Sequence, residues 1–281
     1  MADALRDQRV RGRWKDEDLW TTVLSLLGAA SSRKSVDIPY AVKKILDPPP
    51  VRVTAALANV VWNSDPTQIG DLAIGRVRSS EDIARFLDVL PADAGVTDEL
   101  HTYAVARLRE YNDYVIATST SIRQDTLAFQ DFERKLDDLV GLTLLLAETL
   151  DKHNVISLRG ATNRPGIRGI TIDRSALTGL LPKAAVAELG ARVLEESGSG
   201  HHTSVRWQSA DPMPLDQVLD PELRSALGDL LIAQDAIAQR LRIAGRWHAR
   251  AFWADASDDA ALAVSVALDS LLTGKDAVPG A

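Results

Sequence analysis

The stretch DDAALAVSVALDSLL, residues 258–272, reads as a helix that is apolar nearly all round, yet it carries an acid at Asp269. A carboxylate inside a buried helical face has to be paired or protonated, so such a residue is either a structural lock or part of a working site. Ser265 lies one turn earlier and shares its stripe. Arg246 and Arg250, in the preceding segment GRWHAR, are the basic groups best placed to face the acid, the other structural reading being an acid exposed at the domain edge.

A second group of cations occupies LRGATNRPGIRGITIDR, where Arg159, Arg164, Arg168 and Arg174 are interleaved with glycines that let backbone N–H groups approach an anion. Arg164 and Arg168 are therefore candidate substrate-binding residues beside Arg246 and Arg250. The pair Arg242 and His248 has the spacing of an R-x5-H motif. Six positions on a continuous helix correspond to about 600° of rotation, which sets the two side chains far apart around the axis. His201 and His202 are adjacent in an SGSGHH loop with no ligand cluster around them, so no metal is expected. No phosphate-loop, nucleophile-elbow or zinc-helix motif occurs, and no cofactor is implied.

The elements that must carry these residues show two characters. Residues 16–30 form an amphipathic helix, with Leu19, Trp20, Val23, Leu24 and Leu27 at helical spacing, and a short helix ends at Leu46 before the DPPP stop. VRVTAALANVVW and IGDLAIGRV then read as a pair of strands about the turn NSDPTQ. Ser79 and Asp82 have the spacing of a capping box and open another helix. The pattern continues with a helix at DELHTYAVARLREY, a strand at YVIATSTSI and a long helix from about Asp125 to Leu150. Strands follow at NVISLRG, IRGITID and TSVRWQS, with a helix at PKAAVAELGARVLEE between the last two. Trp14, Trp20, Trp62 and Trp207 are expected as core or interface anchors.

Beyond DPMPLDQV there is no convincing strand. Asp220 and Pro221 mark a helix start, and the pattern runs toward Trp253 with a bend expected near Gly245. A last helix follows, with Gly274 as its C-cap. The fold expected is α+β: a mixed α/β region with short strands over residues 1–210 and a helical segment over residues 218–281.

The chain has 281 residues, 46% of them hydrophobic, a net charge of -7 and no cysteine. That composition supports a sizeable core and excludes thiolate chemistry and disulfides. It also argues against nucleic-acid binding along the whole surface. Without a signal sequence or an apolar span, a soluble cytoplasmic protein is expected, with no membrane partner.

The segment GRWHARAFWADASDDAALAVSVALDSLL resembles the first part of Apea-like HEPN domains: an Arg–Trp-rich helix, a short acidic break and a helix ending in ALDSLL. The resemblance implies a helical bundle that dimerises and, in many members, cleaves RNA without metal through an R-x4-6-H motif beyond these helices. No such motif follows ALDSLL here, and TGKDAVPGA reads as a loop leading to further helices. The expectation is therefore the sensor or regulatory portion of a truncated HEPN-type RNA-targeting defence or toxin protein of bacteria, inactive as a ribonuclease in this form. RNA and a protein or phage trigger are its implied partners, and Asp269 would position a histidine or arginine of the missing helices. The alternative is a non-catalytic protein-interaction module that forms a homodimer through its C-terminal helices.

Overall fold

The computed structural model describes residues 8–31, 38–47, 50–89, 115–123, 125–149, 164–173, 191–195, 212–254 and 256–272. It shows a mixed α+β N-terminal region followed by a largely helical C-terminal segment. Among the described residues, no helix is long and apolar enough to cross a membrane.

Three helices come first: α1 (Gln8–Arg13), α2 (Asp16–Ser31) and α3 (Ile38–Leu46). They enclose a small core of Val10, Trp14, Leu19 and Val23, where the Trp14 indole donates to the Ile45 carbonyl at 3.1 Å. Trp20, Leu24 and Leu27, expected to share that core, are instead exposed. The three recur at i, i+4 and i+7, so they form a stripe of their own beside the one that is buried.

The sheet begins with β1 (Val51–Ala58), continues through β2 (Val60–Val61), β3 (Thr67–Ile69) and β4 (Leu72–Arg76), and is followed by α4 (Ser80–Asp88). The capping box at α4 is formed: Ser79 Oγ accepts from the Asp82 N–H at 3.1 Å, and Asp82 Oδ2 accepts from the Ser79 and Arg78 N–H groups at 3.0 Å. The Arg78 N–H is the foremost of the groups that hold the Asp82 carboxyl below the usual range. Next come β5 (Val115–Ser121), α5 (Asp125–Thr149), β6 (Gly166–Asp173) and β7 (Ala191–Glu195).

The six-stranded sheet has the order β3-β4-β5-β1-β6-β7, and every pairing in it is antiparallel. The two segments read from sequence as a strand pair therefore do not pair with each other. β5 lies between β1 and β4, matching Thr54 to Thr118 on one side and Ile74 to Ala117 on the other. A second correction falls on β7, whose residues were expected in a helix. Antiparallel pairing of Ala191 with Asp173 and of Glu195 with Gly169 overrides a helix-favouring composition. The expected helix at DELHTYAVARLREY, the strands NVISLRG and TSVRWQS, Trp207, Arg159, Arg174, His201, His202 and Gly274 lie outside the described residues.

β1 is buried along both faces. Val51, Val53, Ala55 and Leu57 meet Ala128, Phe132, Leu136, Leu139 and Val140 of α5 in the main core. On the opposite face Thr118 Oγ1 donates to the Val53 carbonyl at 2.9 Å, which leaves Thr54 as donor in the 2.8 Å bond between the two threonine hydroxyls. Two buried hydroxyls are thus satisfied across one registered pair.

The C-terminal segment opens with β8 (Met213–Pro214), parallel to β2, and the short α6 (Leu215–Val218). Asp216 Oδ2 accepts from the N–H groups of Asn63 and Ser64, at 2.6 and 2.9 Å, and so ties this segment back to the loop after β2. α7 (Pro221–Ile232), α8 (Ala236–Phe252) and α9 (Ser257–Leu272) follow. Asp220 caps α7 by accepting from Leu223 N–H at 3.0 Å, with Pro221 in the first turn. The helix does not run on to a bend at Gly245. It breaks at residues 233–235, because Asp235 caps α8 through the N–H groups of Ile237 and Ala238, both at 2.9 Å. These donors, Ala238 foremost, hold the Asp235 carboxyl below the usual carboxylate range.

Gly245 serves another purpose: it lets α8 cross α5 at Gly141. A Cβ on Gly245 would lie 3.0 Å from both the Gly141 carbonyl carbon and the Leu142 nitrogen. Leu215, Val218, Leu219, Leu227 and Ala249 belong to the same core as β1 and α5, so one core joins the mixed region to the helical segment.

Candidate functional site

On α5, Asp131, Arg134, Lys135 and Asp138 recur at i, i+3, i+4 and i+7 and form one polar stripe. The same stripe turns apolar further along the helix, at Gly141 and Leu142, where α8 crosses. Asp138 sits at that changeover with its side chain only 7% exposed. Arg246 of α8 places Nη1 3.0 Å from Asp138 Oδ1, but off the hydrogen-bond axis, so this oxygen has electrostatic compensation without a directed donor. Arg242 Nε is more distant, at 3.9 Å from Oδ2.

Burial raises the Asp138 carboxyl to about 6, against the opposing pull of Arg246, Arg242 and Arg134 and with a small assisting push from Asp137. Desolvation therefore outweighs the neighbouring cations. Arg242 has a further role, because its Nη1 donates to the carbonyls of Leu230 and Ala233, at 2.5 and 2.8 Å, which α7 leaves without helical partners at its end. The Arg242–His248 spacing accordingly carries a helix clamp: the arginine is held by α7 and faces Asp138.

These residues line a cleft of about 650 Å³ between the end of β5, α5, the end of α7 and α8. Lys135 bridges its wall, with Nζ 2.5 Å from Asp71, 3.3 Å from Asp131 and 3.1 Å from the Thr120 carbonyl. Arg134 pairs with Asp131, and Arg123, just after β5, also lines the cleft. Asp71 is held in place by the β3–β4 turn. There Gly70 has φ +64 and approaches Gly228 of α7 so closely that a Cβ on Gly70 would meet the Gly228 carbonyl oxygen at 2.9 Å.

The arginines singled out in sequence converge in part. Arg164, Arg246 and Arg250 line a small recess of about 30 Å³ with Asp137 and Trp253, and Arg246 also lines the larger cleft. Arg164 lies 3.5 Å from Asp137, and the Arg250 guanidinium stacks 4.4 Å from the Trp247 ring centroid. Of Arg168 only the backbone, in β6, is described.

Asp269 does not occupy the buried position expected of it. It is exposed, although it has a polar interaction of its own. The buried stripe of α9 is made by Ala263 and Ala267. At about 100° per residue, Asp269 stands well over a quarter-turn from that stripe. Arg246, one of its two expected partners, does face a buried carboxylate, but that carboxylate is Asp138.

Sequence reasoning missed Asp138, together with Asp71, Asp131, Lys135 and Arg123. For Asp138 the signal was present: an acid within the apolar run LDDLVGLTLLLA is as anomalous as Asp269.

Among the described residues no histidine lines the cleft, and Asp138, the lining carboxyl whose pKa burial raises, is faced by Arg246.

The last exposed feature is the outer surface of α9. Ala261, Val264, Leu268, Leu271 and Leu272 are all exposed and fall within about 100° of the helix circumference. Comparison with known proteins finds no matching family model, no matching curated protein and no matching solved structure.

Proposed function

We propose that the chain is a non-catalytic interaction and dimerisation module whose docking surface is the outer face of α9. The observation that carries this reading is the continuous apolar stripe just described, with Leu268 53% and Leu272 81% exposed. Isolated apolar residues on a surface need no explanation, but a contiguous face of this kind marks an association site. A second copy is the simplest occupant, since two such faces are self-complementary about a twofold axis.

The hairpin of α8 and α9 also supports a second reading: this module is the sensor or regulatory portion of a HEPN-type RNA-targeting defence or toxin protein. RNA is then the substrate, and the outer face of α9 is the surface through which the helical bundle associates.

Sedimentation velocity tests the first reading directly. The wild-type chain is expected to dimerise in the micromolar range, and a chain carrying Leu268→Glu and Leu271→Glu to remain monomeric. A wild-type chain that stays monomeric throughout that range overturns it. Labelled tRNA and mRNA incubated with the protein are expected to stay intact. Cleavage that co-purifies with the wild-type chain and persists in Arg242→Ala and His248→Ala variants would show an active centre elsewhere.

A further inference from the structure

The structure carries an inference that goes beyond association and does not depend on it. We propose that the cleft between β5, α5, α7 and α8 binds a nucleotide-sized phosphate ester, with Arg123 and Arg246 on the phosphate and Ile122 and Ile232 against the ring. Its volume, about 650 Å³, lies in the range of small-molecule sites.

The charges in the cleft are unbalanced in favour of an anion. Five cationic side chains line it against three carboxylates, and each of those carboxylates is already engaged from within. Asp71 and Asp131 are held by Lys135, Asp131 also by Arg134, and Asp138 by Arg246. Arg242 is anchored on the carbonyls at the end of α7.

Two positive charges are thereby left over, which is the charge of a phosphate monoester with its sign reversed. Arg123 is the principal source: its guanidinium makes no hydrogen bond or ion pair with another described residue, and only its backbone N–H is engaged, by Ser121 Oγ at 3.1 Å. The second unmatched charge is that of Arg242, whose partners at the end of α7 are neutral carbonyls; Arg246, matched to Asp138 through Nη1 alone, adds the rest of its planar fork as hydrogen-bond donors to the phosphate.

The cleft also has an apolar lip that inorganic phosphate would not use. Ile122, just after β5, is 62% exposed, and Ile232, at the end of α7, is 51% exposed. They come from different walls of the same cleft. Two isoleucines exposed at the mouth of an otherwise charged cavity offer a planar ring a place to lose water. Phosphate and planar ring together specify a nucleotide over a sugar phosphate or a free anion.

Isothermal titration of the full chain with the common nucleoside mono- and diphosphates, with the parent nucleosides and with inorganic phosphate tests the proposal. At least one nucleotide is expected to bind saturably, and its nucleoside and inorganic phosphate each at least about tenfold more weakly. Arg123→Gln, at the rim and outside the core, is expected to weaken binding about tenfold with an unchanged melting temperature. Arg246→Gln is expected to do the same, and because it also strips Asp138 of its counter-charge, the Arg123 variant is the decisive one. Arg13→Gln, remote from the cleft, is the control and should bind as the wild type does. The proposal is overturned if no nucleotide binds at millimolar concentration, if a nucleoside binds as well as its phosphate, or if Arg123→Gln leaves the affinity unchanged. None of these readouts depends on dimerisation, so the two proposals fail separately.

Discussion

Helix α8 makes its most extensive contacts with α5 and α9, and the two are made differently. Toward α5 it presents Gly245, which meets Gly141 backbone to backbone, and that contact is continued by Arg242 and Arg246 around the buried Asp138. Toward α9 it meets Ala263 and Ala267, the two residues of that helix that are buried. Small residues allow close approach on both sides, yet only one contact is backed by further structure. Behind α5 lies the sheet, so every apolar residue of its inner face is covered. α9 turns a second apolar face outward, and no described element covers it. A helix joined to a continuous core tolerates little change at its contact; a helix that packs, among the described residues, chiefly on its hairpin partner leaves its outer face exposed.

The strongest way to break this contrast is to widen the α5–α8 crossing. Gly141→Val places its first side-chain carbon against the Gly245 backbone and is expected to cost about 3 kcal/mol or more, measured by urea unfolding. A cost below 1 kcal/mol would mean that the crossing is much looser than the geometry requires.

The Asp138→Asn variant sharpens the electrostatic half of the comparison. Burial raises this carboxyl in the folded state to about 6, so the folded chain holds its proton over a range where the unfolded chain has released it. Stability from this group is present at low pH and is lost as pH rises from the ordinary carboxylate range through about 6. The advantage of wild type over Asp138→Asn should therefore shrink across that window, by about 3 kcal/mol at most. Unfolding curves of the two proteins that run parallel from pH 4 to 7 would remove the desolvation argument.

On the other side of α8, Leu268→Glu is expected to change monomer stability by less than about 1 kcal/mol while abolishing self-association. A large loss of stability in the monomer would place Leu268 in a core. The smallest effect belongs to Asp269→Asn, at about 0.5 kcal/mol or less in thermal or urea melts. Its side chain is exposed, so little desolvation is at stake.

How far the sequence was legible follows from how local each signal is. The caps at Ser79 and Asp220 and the extent of α5 rest on neighbouring residues, and these match the structure. The break before α8 is also a local cap, at Asp235, but Gly245, whose role is packing, is the more conspicuous helix breaker in the sequence. Strand order was not legible, because nothing near β1 and β4 shows that β5, drawn from residues 115–121, will lie between them. Asp269 and Asp138 illustrate the same limit: two acids in apolar helices look alike until a partner helix shows which face is covered. The convergence of Arg164 on Arg246 and Arg250 likewise needed the fold to bring distant segments together.

The position of β1 has a consequence in time. Its two neighbours in the sheet are β5 and β6, supplied by residues 115–121 and 166–173. A chain emerging from the ribosome in order exposes VRVTAALA, every residue of which ends buried or half-buried, long before either partner strand has been made. Such non-local pairing slows folding and leaves an apolar strand with open edges in the interval. The nascent protein should therefore lean on a chaperone during synthesis, until the strand that becomes the middle of its sheet acquires neighbours.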